Sequence, residues 1–176
     1  MNEQESHSEA DAIFSEQDEY WMQYAMDLAA KGEVLGEVPV GAVIVQDDSV
    51  IGEGFNQPIT SHDPTAHAEI IALRQAAARI ENYRLIGSTI YVTLEPCTMC
   101  VGALVHARIA RLVFGTTETK AGAVVSKSRL LDSDYFNHRV EYAGGLMAPQ
   151  CQHQLSHFFA MRREQKRQEK LNSRNE

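Results

Sequence analysis

The sequence predicts an α/β protein with three layers (α/β/α): a mixed five-stranded sheet carrying helices on both faces. Three observations carry this. Val38 to Val45 and Val50 to Phe55 are apolar, β-branched segments around the turn-like Gln46-Asp47-Asp48-Ser49, which reads as an antiparallel hairpin. Thr89 to Leu94 is a near-continuous β run, the pattern of a central strand covered on both sides. After it, helix-like and strand-like stretches alternate, which implies parallel pairing in the later part of the sheet.

Residues 1–14 are polar and acidic and are expected to be disordered. Ser15 with Asp18 three residues on forms a capping-box pattern. Trp21, Tyr24, Ala25, Leu28 and Ala29 then recur at helical spacing, so a packing helix is expected to about Lys31-Gly32. Gly52 and Gly54 thin the second hairpin strand and allow another group to approach closely. Asn56 stands at that strand's exit, a place where a lone Asn is ordinarily a turn residue.

Asp63-Pro64-Thr65 reads as a helix start, with a capping side chain and a proline suited to the first helical position. The helix is expected from Thr65 to about Ile80, its apolar face carrying Ile70, Ile71, Leu73, Ala76 and Ala77. A third helix continues after Cys97 through Val101, Leu104 and Val105, and Arg111 to Gly115 is the next strand. No period emerges from Thr116 to His138, and connections this long are often functional. Arg139 to Tyr142 is the last expected strand. A final helix begins near Pro149 and includes Leu155, Phe158, Phe159 and Met161. Two adjacent aromatics cannot both face one core, so either Phe158 and Phe159 straddle a packing edge or one ring meets a base or a partner. The organisation expected is one domain over residues 15–163, followed by a charged helix end or tail over 164–176.

At 176 residues, with 44% hydrophobic and 23% charged side chains, the chain suits a single soluble domain with a sizeable core. No apolar run approaches a membrane span, and residues 1–18 have neither the basic nor the apolar region of a secretory signal. Three cysteines, two of them in a C-x-x-C, point to metal binding in a reducing cytoplasm rather than to disulfides. The net charge of −8 counts against nucleic acid as a partner, but its distribution softens the objection. Residues 1–20 hold seven acids and no Lys or Arg, leaving −1 for the rest. The far end is basic, with Arg162, Arg163, Lys166, Arg167, Lys170 and Arg174, either a solvated helix end or a local binding patch.

Two short segments carry the chemistry. His67-Ala68-Glu69 and Pro96-Cys97-Thr98-Met99-Cys100 supply one imidazole and two thiolates, a ligand set suited to Zn²⁺. Cys97 and Cys100 can face one point from a first helical turn. His67 and Glu69 would diverge in mid-helix and converge only beyond a helix end. Three ligands rather than four leave a position for water, as in a catalytic site. Glu69 is a carboxylate beside that position, able to take a proton and return it elsewhere. A thioredoxin-like redox reading of Cys97 and Cys100 would leave His67 and Glu69 idle. Cys151 lies outside any paired spacing and reads as a buried helix residue.

The H-x-E…P-C-x-x-C pair resembles the zinc nucleobase deaminase signature. The fuller strings His62-Asp63-Pro64-Thr65-Ala66-His67-Ala68-Glu69 and Tyr91-Val92-Thr93-Leu94-Glu95-Pro96-Cys97 resemble the bacterial tRNA-specific adenosine deaminase family, a likeness that runs from about Glu19 to Arg163. The resemblance implies a cytidine-deaminase-like fold and hydrolytic conversion of adenosine to inosine at the wobble position of a tRNA anticodon. It implies one Zn²⁺ per subunit on His67, Cys97 and Cys100, Glu69 as the proton carrier, and the Ala68 amide as a donor to the base. Asn56 would fix base and sugar, with Val40 and Leu94 as apolar pocket walls. Possible RNA contacts are Glu118, Lys120, Phe158, Phe159, Arg162 and Arg163, although relatives usually carry Asp at the position of Glu118. A cytoplasmic homodimer with the tRNA anticodon loop as partner, and no membrane, completes the expectation. The alternatives are a deaminase of free guanine or cytosine, and a non-catalytic RNA-binding subunit with structural zinc.

Overall fold

Ser15 opens the first helix as its sequence predicts. The structure, a computed structural model, describes residues 13–174, so all but the last two residues of the segment expected to be disordered lie outside it. In helix α1 (Glu16–Val34) the Ser15 hydroxyl accepts from the Asp18 amide at 3.1 Å, and Asp18 Oδ2 accepts from the Ser15 amide at 3.0 Å. Asp18 also anchors the helix to the sheet. Its buried carboxylate accepts from Tyr91 Oη at 2.7 Å and from both terminal nitrogens of Arg111, at 2.7 and 3.1 Å.

The hairpin is β1 (Gly41–Gln46) with β2 (Ser49–Phe55), turned by Asp47 and Asp48, both at positive φ as a two-residue turn of this hand requires. Strand β1 starts three residues later than the sequence predicts, because the Val40 amide is spent on a local bond to Val38 O at 2.8 Å. Next come α2 (Ala68–Ile80), β3 (Thr89–Leu94), α3 (Thr98–His106) and β4 (Arg111–Thr116). A 3₁₀ turn at Leu130–Asp132, β5 (Glu141–Gly144) and α4 (Ala148–Asn172) complete the chain.

The sheet order is β2-β1-β3-β4-β5, with β1 antiparallel to both neighbours and β3, β4 and β5 parallel. The mixed five-stranded sheet and the central β3 are as expected. Alternate side chains leave it on opposite faces. Ala42, Ile44, Ile90, Val92 and Leu112 join α2 and α3 in one core; Val43, Val45, Tyr91 and Val113 join α1 in the other. Gly52 explains the close seating of α2, since a Cβ there would stand 2.3 Å from the Ala72 carbonyl oxygen.

Two boundaries differ instructively. Helix α2 begins at Ala68, not Thr65: Asp63 Oδ1 accepts from the Thr65 amide at 2.8 Å and its hydroxyl at 2.7 Å, so the Asp-Pro-Thr signal builds a local turn ahead of the helix. Strand β5 lies two residues downstream of the expected span because its register follows its partner, Arg111 pairing with Glu141. Helix α4 runs unbroken through the boundary expected at residue 163, and Phe159 onward is exposed throughout the described residues.

Burial alone would raise the Asp18 pKa, but the bonds from Arg111, Ser15 and Tyr91 outweigh it and hold it at about 2. A carboxylate lowered in the folded state stabilises above its unfolded pKa, and the effect fades as pH falls toward the folded value. Asp18→Asn is therefore expected to cost about 2 kcal/mol in urea unfolding at pH 7. The gap to wild type should shrink as pH drops below about 4; a gap independent of pH would disprove the role of the charge.

Candidate active site

The ends of β2, β3 and β4 and the start of β1 lie along one edge of the sheet, since Gly41 pairs with Phe55 and Leu94 with Thr116. Helices α2 and α3 start there. His67 is the N-cap residue of α2 and Cys97 that of α3, both with extended backbone, and Cys100 lies in the first turn of α3. His67 Nδ1 stands 3.6 Å from the sulfur of Cys97 and 3.6 Å from that of Cys100. The three donor atoms all lie within 4.8 Å of one another.

These separations fit zinc. With Zn–S about 2.3 Å and Zn–N about 2.0–2.1 Å, a tetrahedral centre places nitrogen and sulfur about 3.6 Å apart. The electrostatics agree. A hydrogen bond from Cys100, helped by His67, holds the Cys97 thiol down at about 4, while sharing that proton pushes Cys100 up. Both sulfurs lie at the N-terminus of α3, where the thiolate form is favoured. Cys151 is buried against Gly115, apart from this cluster, and burial raises its thiol to about 11.

Glu69 lies in the first turn of α2, 3% exposed, and its Oε2 has no hydrogen-bond partner among the described residues. Burial pushes its carboxyl up to about 7. Glu69 lines a cavity of about 120 Å³ together with His67 and Cys97. Val40, Leu94 and Asn56 line it as well. Ala68 differs from expectation: its amide donates to Asn56 Oδ1 at 2.9 Å and is not free to meet a base. That bond turns Asn56 from a turn residue into a strut between β2 and the start of α2.

Leu94 and Glu118 also wall a second, larger cavity of about 500 Å³, so the two adjoin. Lys120 lines this groove from the loop after β4; Gln152, Ser156, Phe159 and Arg163 line it from α4. The aromatic pair straddles the packing edge. Phe159 is 44% exposed at the groove, whereas Phe158 is buried in the core, with the Arg162 guanidinium 5.6 Å above its ring. Phe158 is thus a packing residue rather than an RNA contact, and neither it nor Arg162 lines the groove. A further cavity of about 550 Å³ between α1 and α4 holds none of the metal-binding set.

Glu95 was missed by sequence reasoning. Its buried carboxylate accepts the amides of Glu118, Val124, Val125 and Ser126 and the Ser126 hydroxyl. An acid closing an otherwise apolar strand was the available signal, because a buried charge needs partners. Glu37 is similar: its buried Oε1 accepts the Thr60 amide at 2.7 Å and hydroxyl at 3.0 Å, holding the connection that leads to His67.

Residues 15–116 match the model of the cytidine and deoxycytidylate deaminase zinc-binding region. The chain belongs to that family. Within it, the tRNA-specific adenosine deaminase of Haemophilus influenzae is 55% identical over 163 residues, 92% of this chain and 94% of its own. A solved structure from a study of A-to-I editing by tRNA:A34 deaminases superposes with a TM-score of 0.75 at 39% identity, over 77% of this chain and 99% of that one. Guanine deaminase of Nitrosomonas europaea, 22% identical with a TM-score of 0.67 over 81% of this chain and 84% of its own, shares the fold.

Proposed function

We propose that this chain is a zinc-dependent hydrolase that converts adenosine to inosine at the wobble position of a tRNA anticodon, releasing ammonia. The observation that carries the chemistry is the unpartnered, buried Glu69 oxygen beside a set of three metal donors, His67, Cys97 and Cys100. Zinc bound there supplies an activated water for hydrolysis. Glu69 would accept a proton from the attacking water as its oxygen adds to adenine C6. The same carboxyl returns the proton to ring N1, and a second transfer carries the proton left on the oxygen at C6 to the exocyclic nitrogen, whose bond to C6 breaks to release ammonia. A carboxyl near 7 suits both directions of transfer.

Asn56 Oδ1 is fixed on the Ala68 amide, which leaves its Nδ2 to donate to base or ribose. Val40 and Leu94 clasp the ring. A single-stranded loop lets the base enter without breaking a duplex. Beyond the pocket, the groove offers Phe159 for stacking a neighbouring base and Lys120 and Arg163 for phosphates. On α4 the residues Arg162, Arg163, Lys166, Arg167 and Lys170 fall within an arc of about 140° that also contains Phe159, while Glu164 and Glu169 lie outside it. The groove-lining face of the helix thus continues as a basic stripe. A deaminase of free guanine or cytosine would have no use for that stripe, and a structural zinc site would have none for Glu69. The reading includes a homodimer in the cytoplasm, where tRNA is found; no helix among the described residues is long and apolar enough to cross a membrane.

Glu69→Ala is expected to keep one zinc per subunit by metal analysis while inosine formation in tRNA falls about a thousandfold. Cys100→Ser should lose the metal as well as the activity; near-normal turnover by Glu69→Ala would refute the assignment. Replacing Arg163, Lys166 and Lys170 together by Ala should lower the slope of log KM against log salt by about 2 to 3. An unchanged slope would remove the stripe from the RNA interface. In sedimentation the zinc-loaded protein should have the mass of two subunits, and a single-subunit mass at micromolar concentration would contradict the dimer.

A further inference from the structure

Between the last residue of β3 and the first cysteine of the metal set stands a carboxylate with five donors. Glu95 is 2% exposed. Its Oε1 accepts from the amides of Val124, Val125 and Ser126 at 3.1, 2.7 and 2.9 Å. Its Oε2 accepts from the Glu118 amide at 2.9 Å and from the Ser126 hydroxyl. An ionised carboxylate offers acceptors only, and here it meets five donors.

The donors all come from the loop that follows β4. That loop forms neither helix nor strand from Thr117 to Arg129, so its amides have no regular partners of their own. Glu95 gathers them from both ends. Around it, the loop is tied to the metal-binding segment by the Ala123 amide on Pro96 O at 2.9 Å and by a bridge between Cys97 and Gly122. Gly122 is required by the same closeness, since a Cβ there would meet the Glu95 carboxylate at 2.4 Å. Glu118 and Lys120, which wall the groove, sit on the part of the loop so held.

We infer that Glu95 is a positioning residue for substrate: it sets the 117–126 loop in register with the metal-binding segment, and through Glu118 and Lys120 it governs how RNA is held in the groove. The inference rests on the RNA-deaminase reading above. Three side chains that do the chemistry, His67, Glu69 and Cys100, are placed by α2 and α3 and not by this loop. Loss of the Glu95 charge should therefore weaken RNA capture more than turnover. Glu95→Gln keeps the shape but aims an NH₂ group at backbone donors, leaving buried N–H groups unpaired.

The experiment compares zinc-loaded wild type, Glu95→Gln and Ser126→Ala on an anticodon stem–loop RNA carrying a wobble adenosine. Glu95→Gln should raise KM about tenfold or more while kcat changes less, with one zinc per subunit retained. Ser126→Ala removes one bond of the five and should raise KM about threefold, a measure that stands even where the Gln variant fails to fold. Hydrogen exchange of the amides of residues 118–126, read without RNA, should quicken in both variants. An unmoved KM or unmoved exchange in a folded variant overturns the inference, as does a fall in kcat with KM unchanged. Wild-type protein that converts no RNA overturns the functional reading and this inference with it, so the two failures are told apart.

Discussion

Two helices that begin side by side decide what this fold can do. His67 and Cys97 are each the residue just before a helix, and those helices start at the same edge of the sheet. The 3.6 Å between imidazole and sulfur is thus set by the sheet that spaces the two segments, not by flexible side chains alone. Placement at helix starts also resolves the difficulty of residues two apart. His67 precedes the helix and Glu69 is within its first turn, so both reach the cavity, which mid-helix positions would not allow. The free amides and dipoles of both first turns favour the negative charge that thiolate ligands bring.

The rest of the molecule makes that arrangement tolerable. An acid buried without a partner is costly, and such groups concentrate at functional sites. Glu69 is held because α2 is fastened to β2 by a close glycine contact and to Asn56 by its first amide. On the opposite face, Asp18 pins α1 to β3 and β4 through Tyr91 and Arg111. A rigid sheet with both faces covered can carry strain at one edge without losing its fold.

Much of this was legible because its causes are local. The capping box of Ser15, the continuous β run of Thr89 to Leu94 and the first turn after Cys97 each carry their signal within a few residues, and each forms as read. Misreadings arose where one signal serves two structures. Asp63-Pro64-Thr65 can start a helix or close a turn, and only the bonds of Asp63 decide. The acceptor of the Ala68 amide lies twelve residues earlier, where no local signal points to it. Phe158 and Phe159 could be divided between core and groove only once the helix was set against the sheet. The loop after β4 showed no period because its order comes from one distant carboxylate rather than from any repeat of its own.

The metal donors and the groove's cations occupy different parts of the chain, and the charge distribution follows that division. The metal donors and Glu69 sit on helix starts fixed by the sheet; the groove is built from a loop and one face of α4. A guanine deaminase 22% identical shares the fold, so the sheet and its helices do not by themselves select a substrate. Selection must come from what surrounds the metal set rather than from the fold itself. In the groove a chain of net charge −8 presents Lys120 and Arg163, and five of its sixteen Lys and Arg residues fall along the face of α4 that carries Phe159. Phosphates respond to the nearest field, since charges beyond about 10 Å are screened at ordinary ionic strength. An anion at this face therefore meets the local cations rather than the net charge of the chain.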